Sequence, residues 1–354
     1  MPPRRRKRLD PAVFNLPVDK MRQGYYSDKY FVRAREILRA DRHSPTVTMQ
    51  VFGKTQAFLG GMDEAIAILK FCSEDWNSLI VHALYDGDRI DPWETVMTIE
   101  GPYDAFAHLE TLYLGVLSRR TRVGTNVRAV VEAARPKQIM FFPARHDHWL
   151  VQTGDGYAAH IAGAIGVSTD AQASWWGSSG IGTVPHALIA AYGGDTVLAT
   201  HKFAEYIDPE VQIITLVDYE NDCVRTSLEV ARALGDRLWG VRIDTSENVV
   251  DKSIIPMMGS FRPTGVNPQL VWNVRNGLDS EAFGHVKIVV SGGFTVEKIR
   301  SFEEQLVPVD AYGVGSSLFG GRFDFTADIV LVNGKPQGKV GREYRPNKRM
   351  ERVK

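Results

Sequence analysis

Three times in the second half of the chain, an apolar run ends in a polar cluster and gives way to a helical pattern. Residues 212–218 read as a strand, followed by a helix through Leu234. Residues 238–244 read as a second strand, followed by a loop and a helix over 268–278. Residues 286–293 form the third, with a helix starting at Val296, and a fourth strand over 309–316 closes the series. Successive strand–helix units predict parallel strands with helices packed outside them. In a barrel of that kind the C-terminal ends of the strands build the site. Here those ends carry Asp218, Arg242 with Asp244, Ser291-Gly292-Gly293 and Gly313-Val314-Gly315-Ser316. Two carboxylates, a guanidinium and two glycine-rich turns suit a phosphorylated sugar and a metal ion.

The first third has a different pattern. Residues 27–38 and 61–70 have helical spacing, and residues 47–52 alternate like a half-buried strand. Strands over 78–84 and 95–100 flank a turn containing Asp86-Gly87-Asp88. A helical region begins after Gly101-Pro102, runs through Leu117 and resumes after Ser118 as a second helix to Ala134. Near the other end, the run from Asp328 ends in Asn333-Gly334, the strongest short hairpin signal. Its partner strand is expected over 337–340. An antiparallel hairpin does not belong in a parallel barrel, so it is expected to return to the N-terminal sheet. The predicted division is 1–118 and 323–354 for a sandwich domain built from both chain ends, with 119–322 as an α/β barrel. The intervening 138–207 starts with a strand to Phe142. It continues through a helix over 149–162 and the Gly/Ser-rich 176–183, then enters an apolar helix containing His186.

Composition changes this picture little. The 354 residues are 44% hydrophobic and carry a formal net charge of zero. No global field draws the chain to nucleic acid or to a membrane surface, and no apolar run reaches the roughly 18 residues a membrane span needs. The two cysteines, Cys72 and Cys223, make neither a disulfide framework nor a four-ligand zinc site. A reducing cytoplasm fits. The basic start, Arg4-Arg5-Arg6-Lys7-Arg8, has no apolar segment behind it. It reads as a solvated, frayed tail rather than a secretory signal or a nucleic-acid arm.

Each candidate residue has a plain structural reading beside the chemical one. Glycines after strands let the backbone approach an anion and aim consecutive amides at it; tight turns need them as well. Asp218 and Asp244 suit helix caps as well as a metal. Arg242 lies two residues before Asp244, so both side chains share one strand face. Burying that pair is costly without mutual pairing or a ligand. His186, at a helix start, reads as structural when taken alone. His146 and His148 flank Asp147 with no third ligand at metal-site spacing, which favours a polar loop. No Gly-x-Ser-x-Gly elbow and no glycine-rich Lys-Ser/Thr loop is present.

Together these segments resemble the nicotinate phosphoribosyltransferase family, from about Phe14 onward. The resemblance is carried by Gly24-Tyr25-Tyr26-Ser27-Asp28-Lys29-Tyr30, Glu100-Gly101-Pro102-Tyr103 with Leu109-Glu110-Thr111, and Phe142-Pro143-Ala144-Arg145. It continues in Gly182-Thr183-Val184-Pro185-His186, Leu216-Val217-Asp218, Val241-Arg242-Ile243-Asp244-Thr245-Ser246 and the two glycine turns. It implies the type II phosphoribosyltransferase fold, an irregular α/β barrel with an α/β sandwich domain formed from both chain ends. It also implies a homodimer with shared active sites. The family joins nicotinate to phosphoribosyl pyrophosphate, giving nicotinate mononucleotide and pyrophosphate in NAD biosynthesis. Many members couple this to ATP hydrolysis through a phosphohistidine. Matched by motif, the phosphohistidine is His186. Phe142 and a partner's Tyr30 would sandwich the pyridine. Arg145 would meet the pyridine carboxylate or a phosphate, with Ser168 near the same carboxylate. Asp218, Arg242 and Asp244 would hold ribose, pyrophosphate and Mg2+, with the two aspartates on the metal. Ser291, Gly292, Gly293, Gly313, Gly315 and Ser316 would cradle the 5′-phosphate.

This sequence departs from the family pattern at two places. Thr125-Asn126 stands where many relatives carry Thr-Lys, so that one phosphate-binding lysine is either absent or replaced by Arg120 or Arg122. Ala187 stands where relatives have serine after the histidine. Rival readings are a quinolinate transferase, which requires a denser cationic pocket than Arg145 alone, and a nicotinamide transferase, which prefers an aspartate where Ser168 stands. A phosphate-binding barrel aldolase or isomerase would need a lysine at a strand end.

Overall fold

The computed structural model describes residues 7–353, and the chain divides into two compact units. The first comprises the residues up to Asn126, Tyr157–Ala162 and those from Phe319 onward. The second comprises Val127–Gly156 and Gly163–Leu318.

The first unit is built on a six-stranded antiparallel sheet. The central strand Thr46–Gly53 pairs with Thr95–Pro102 on one side and Phe325–Val332 on the other. The C-terminal hairpin therefore does return to the N-terminal sheet. Its return strand is Lys335–Pro336, earlier than the expected 337–340, because Val332 pairs with Lys335 directly across the Asn333-Gly334 turn. Both turn residues have positive φ, as a tight two-residue turn requires. At the far edge, Glu351–Arg352 pairs with Ile80–Ala83. The core gathers Val47, Met49 and Val51 with Ile66, Ile68 and Leu69 of the helix Met62–Cys72. Phe106, Tyr113 and Leu117 pack on the same cluster.

Two expectations fail here. Glu110–Ala134 is one continuous helix, with no break at Ser118. The Ser118 hydroxyl accepts the Phe325 N–H at 3.2 Å, so its polarity serves a tertiary contact rather than a helix end. Nor does the whole basic start fray. Arg4–Arg6 lie outside the described residues, but Arg8 is docked. Its guanidinium pairs with Asp63 at 2.8 Å, donates to the Ala83 and Leu84 carbonyls and lies 4.0 Å from the Tyr85 ring centre.

The second unit is a parallel half-barrel of six strands. In spatial order they are Gly166–Val167, Gln138–Phe141, Ala311–Val314, Lys287–Val290, Leu238–Ile243 and Ile213–Leu216. All five pairings are parallel. Ile288, Val289 and Val290 are fully buried, as strands covered on both faces demand. Each such side chain contributes about 1.5–3 kcal/mol. The helices Cys223–Leu234, Pro268–Ser280 and Val296–Glu304 follow successive strands. Asn267 and Thr295 cap the last two through their side-chain oxygens. On the inner face, Met140, Ile214, Val289 and Ala311 form an apolar layer, with Phe142 and Trp239 packed against it. That layer is a rigid floor beneath the strand ends.

Candidate functional site

Each of the six parallel strands delivers a polar residue, an aromatic residue or a glycine just past its C-terminal end. Across the sheet these are Ser168, Phe142, Gly315, Ser291, Asp244 and Asp218. A cavity of about 410 Å3 opens among the middle four strand ends. Its lining includes Phe142, Arg145, Arg242, Asp244, Ser291, Gly292, Gly293, Gly313, Gly315 and Ser316. Ten of the predicted site residues are thus brought together in one place, all within the second unit.

At its centre, the Arg242 Nε donates to the Ser291 hydroxyl at 2.8 Å. That hydroxyl in turn donates to Asp244 Oδ1 at 2.6 Å. A second Arg242 nitrogen donates to Asp244 Oδ2 at 3.3 Å, and a third to the Thr183 hydroxyl at 3.3 Å. Burial pulls the Arg242 pKa below its ordinary value, while Asp244 and Asp218 push it back up. The guanidinium carbon also lies 5.1 Å from the Phe142 ring centre. The two-residue spacing does place Arg242 and Asp244 on one face, as the strand period requires.

The two glycine motifs do different jobs. Gly292 and Gly293 have φ of 83° and 66°, a left-handed turn that other residues adopt only with strain. A Cβ on Gly293 would fall 2.0 Å from Glu247 Oε1. Gly313 lies in a strand instead, and a Cβ there would meet the Phe142 ring at 2.6 Å. It is glycine because the aromatic ring packs on its backbone. A Cβ on Gly315 would come 3.1 Å from His146.

The Asp218 side chain is only 8% exposed, and its Oδ1 lies 3.0 Å from His186 Nε2. This hydrogen bond holds the His186 pKa above its ordinary value against the opposing effect of burial. His186 opens the six-residue helix His186–Ala191. Neither residue lines the cavity, so His186 and Asp218 form a second polar pair beside it. The Ser168 hydroxyl donates to the Phe141 carbonyl at 3.0 Å, and Ser168 does not line the cavity. Tyr30 is 62% exposed in the first unit, its ring tilted against that of Phe31 with centres 4.2 Å apart. The replaced Thr-Lys position also lies in the first unit. Thr125 accepts the Phe58 N–H, Asn126 donates to the Gly320 carbonyl, and Arg120 pairs with Glu64 at 3.0 Å.

Sequence reasoning missed His146, Glu247, Phe294, Thr295 and Ser317, which complete the lining. His146 directly follows the Phe142–Arg145 motif, and Glu247 lies three residues after Asp244. Their proximity to those motifs was the available signal. Among the described residues, no group of three or more His, Cys, Asp or Glu is arranged to hold a metal. Both Asp244 oxygens are engaged by protein donors. Magnesium, however, needs only one or two carboxylates when phosphate oxygens and water supply the rest. Asp244 fits a metal that arrives with a diphosphate, not a protein cage. A separate cavity of about 310 Å3 lies at the opposite strand ends, around Trp239. It carries Asp208, Glu210 and Asp236, and its Arg237 is bonded to the Ala204 carbonyl, a lining that disfavours an anion.

A parallel half-barrel with convergent Arg, Asp and glycine turns, joined in sequence to an antiparallel sheet made from both chain ends, is the type II phosphoribosyltransferase architecture. A family model described as the N-terminal domain of quinolinate phosphoribosyl transferase matches residues 28–121. A nicotinate-nucleotide pyrophosphorylase from Pyrococcus furiosus superposes with a TM-score of 0.80 at 32% identity, covering 93% of this chain and 80% of that one. Nicotinate phosphoribosyltransferase pncB1 of Mycobacterium tuberculosis is 28% identical over 262 residues, 72% of this chain. The chain spans 54% of the length of that relative. Human nicotinic acid phosphoribosyltransferase shares the fold, with a TM-score of 0.66 at 16% identity over 88% of this chain and 75% of that one. The chain belongs to the nicotinate phosphoribosyltransferase family. Among the described residues, no helix is long and apolar enough to cross a membrane.

Proposed function

We propose that the chain transfers the phosphoribosyl group of phosphoribosyl pyrophosphate to nicotinate, giving nicotinate mononucleotide and pyrophosphate. The observation that carries this reading is the Arg242–Ser291–Asp244 network standing beside the left-handed Gly292-Gly293 turn in one cavity. The sugar's C1–oxygen bond breaks as the pyridine nitrogen's lone pair forms the new C1–N bond. The electron pair leaves on pyrophosphate. Nicotinate's ring nitrogen is unprotonated at neutral pH, so no general base is required. Catalysis then rests on orientation and on positive charge at the leaving group. Phe142 offers a ring face for the pyridine, Arg145 a cation for its carboxylate, and Arg242 a cation for the departing diphosphate. Asp244 would be the protein carboxylate for a magnesium ion brought in with the diphosphate, which would supply further positive charge at the leaving group.

ATP coupling is a further part of the proposal. A proton held on His186 Nε2 by Asp218 leaves Nδ1 as the nucleophile towards a γ-phosphate. The shared site of a homodimer, with Tyr30 crossing from the partner, rests on the family resemblance.

Quinolinate is the second reading, favoured by His146. With Arg145 and Arg242 it puts three basic groups in the lining of one cavity, more than the motifs alone suggested. The test is to incubate the protein with phosphoribosyl pyrophosphate, Mg2+ and each of nicotinate, nicotinamide and quinolinate. We expect the highest kcat/KM with nicotinate. Carbon dioxide release with quinolinate at a higher kcat/KM would replace the first reading with the second.

A further inference from the structure

Lys298 is the third residue of the helix Val296–Glu304, the helix that follows the glycine turn. Its side chain folds back under that turn. The ammonium donates to the Gly292 carbonyl at 3.2 Å. It also lies 4.3 Å from the Phe294 ring centre and 6.0 Å from that of Phe302. Phe294 is itself buried against Phe302 and Tyr312, with ring centres 5.1 and 5.3 Å away, so this aromatic bed is fixed. Among the described residues, no carboxylate lies within ion-pair distance of Lys298. Burial pulls the ammonium pKa down, Glu247 partly restores it, and Arg262 lowers it further. An ammonium taken from water without a carboxylate costs free energy. The carbonyl and the ring faces are what it receives in return.

We infer that Lys298 is a positioning residue for the phosphate turn, fixing the Gly292–Gly293 peptide so that its amide faces the anion. In a trans peptide the C=O and the following N–H point in opposite directions. An ammonium that holds the Gly292 carbonyl therefore aims the Gly293 N–H to the other side of the peptide plane. Gly292 and Gly293 line the central cavity, whereas Lys298 lines only the adjoining cavity of about 440 Å3, together with Arg262, with Gly293 and Glu247 standing between the two. Lys298 thus grips the turn from outside the phosphate cavity. Two glycines with left-handed φ have wide conformational freedom, so a turn built from them needs an external restraint. The charge of Lys298 also adds to the positive field behind the bound phosphate.

This inference rests on the proposed use of the turn for the 5′-phosphate, and the experiment separates the two. Phosphoribosyl pyrophosphate binding is measured by calorimetry with Mg2+, and turnover by steady-state kinetics, for wild type, Lys298→Met and Lys298→Arg. Methionine keeps the apolar stem over the aromatic bed; arginine keeps the donor. We expect Lys298→Met to weaken binding roughly tenfold, the loss of one charged hydrogen bond. We expect kcat to stay within about twofold, an unchanged KM for the pyridine, and most of the affinity to return in Lys298→Arg. Unchanged affinity in Lys298→Met overturns the inference. So does an equal loss in kcat, pyridine KM and thermal stability, which marks a merely structural lysine. Wild type that binds the phosphoribosyl donor but transfers it to no pyridine refutes the function and leaves the role of Lys298 standing. Wild type that binds neither the donor nor inorganic phosphate refutes both.

Discussion

At the scale of single residues, the site depends on side chains that hold one another before any ligand arrives. Asp244 is bridged to Arg242 both directly and through Ser291. Asp244→Asn keeps the shape but removes the charge that offsets a buried guanidinium. We expect kcat to fall about 10- to 100-fold, each 1.36 kcal/mol of lost transition-state stabilisation being a factor of ten, in a protein that still folds. Near-normal turnover in a folded Asp244→Asn protein would remove this carboxylate from the mechanism. His186 answers to a different partner, Asp218, and to a different proposed step. ATP should raise the yield of nicotinate mononucleotide, and His186→Ala should abolish that effect while sparing basal transfer. Acid-labile label from γ-labelled ATP is expected on wild type under turnover. An unlabelled wild-type protein would leave His186 as a helix-start residue bonded to Asp218.

At the scale of elements, the strand Ala311–Val314 is fitted to the ring beside it. Gly313→Ala would push a methyl into Phe142, whose ring lies 2.6 Å from the added carbon. Overpacking of this kind costs about 1–3 kcal/mol of stability. The pyridine KM should rise while affinity for the phosphoribosyl donor holds; a loss of donor affinity alone would instead assign Gly313 to the phosphate. The start of the helix Glu110–Ala134 gives a pH signature. Burial, with Asp328 and Asp28 nearby, pushes the Glu110 carboxyl from an ordinary 4.5 up to about 8. Between those values the folded chain holds a proton that the unfolded chain has released. Stability from this group is full below the unfolded value and is lost as pH rises through about 8. Unfolding midpoints of wild type should therefore fall from pH 5 to pH 8 more steeply than those of Glu110→Gln. Parallel pH curves would show that the carboxyl is ionised throughout. The parallel repeats were legible because each apolar strand ends in a recognisable cluster, such as Ser291-Gly292-Gly293. The helix break expected at Ser118 was not real, because what Ser118 serves is a distant N–H on Phe325. The strand Glu351–Arg352 was invisible for a similar reason. It is two residues long, without alternation, and is defined only by pairing with Ile80–Ala83, far away in sequence. The docking of Arg8 on Asp63 likewise depends on a partner that local pattern cannot reveal.

At the scale of the whole molecule, the cavity offers one aromatic face to a pyridine. Phe142 is on its wall, and every lining residue comes from the second unit. Tyr30, the expected opposite face, sits in the first unit a few residues along the chain from Tyr25 and Tyr26, all three exposed. Three neighbouring exposed tyrosines are unusual for a surface that meets only water, and aromatic rings with a polar tip are favoured where subunits join. We expect a dimer in which Tyr30 of one copy completes the cavity of the other. Tyr30→Ala and Asp244→Asn proteins would then each be impaired alone. After verified subunit exchange, one of the two sites in each mixed dimer would contain neither substitution, and activity should recover to about a quarter of wild type by random pairing. Recovery that tracks the fraction of mixed dimers would establish a shared site. Exchange without recovery would mean that each site is built from a single chain, with the tyrosines covering some other contact.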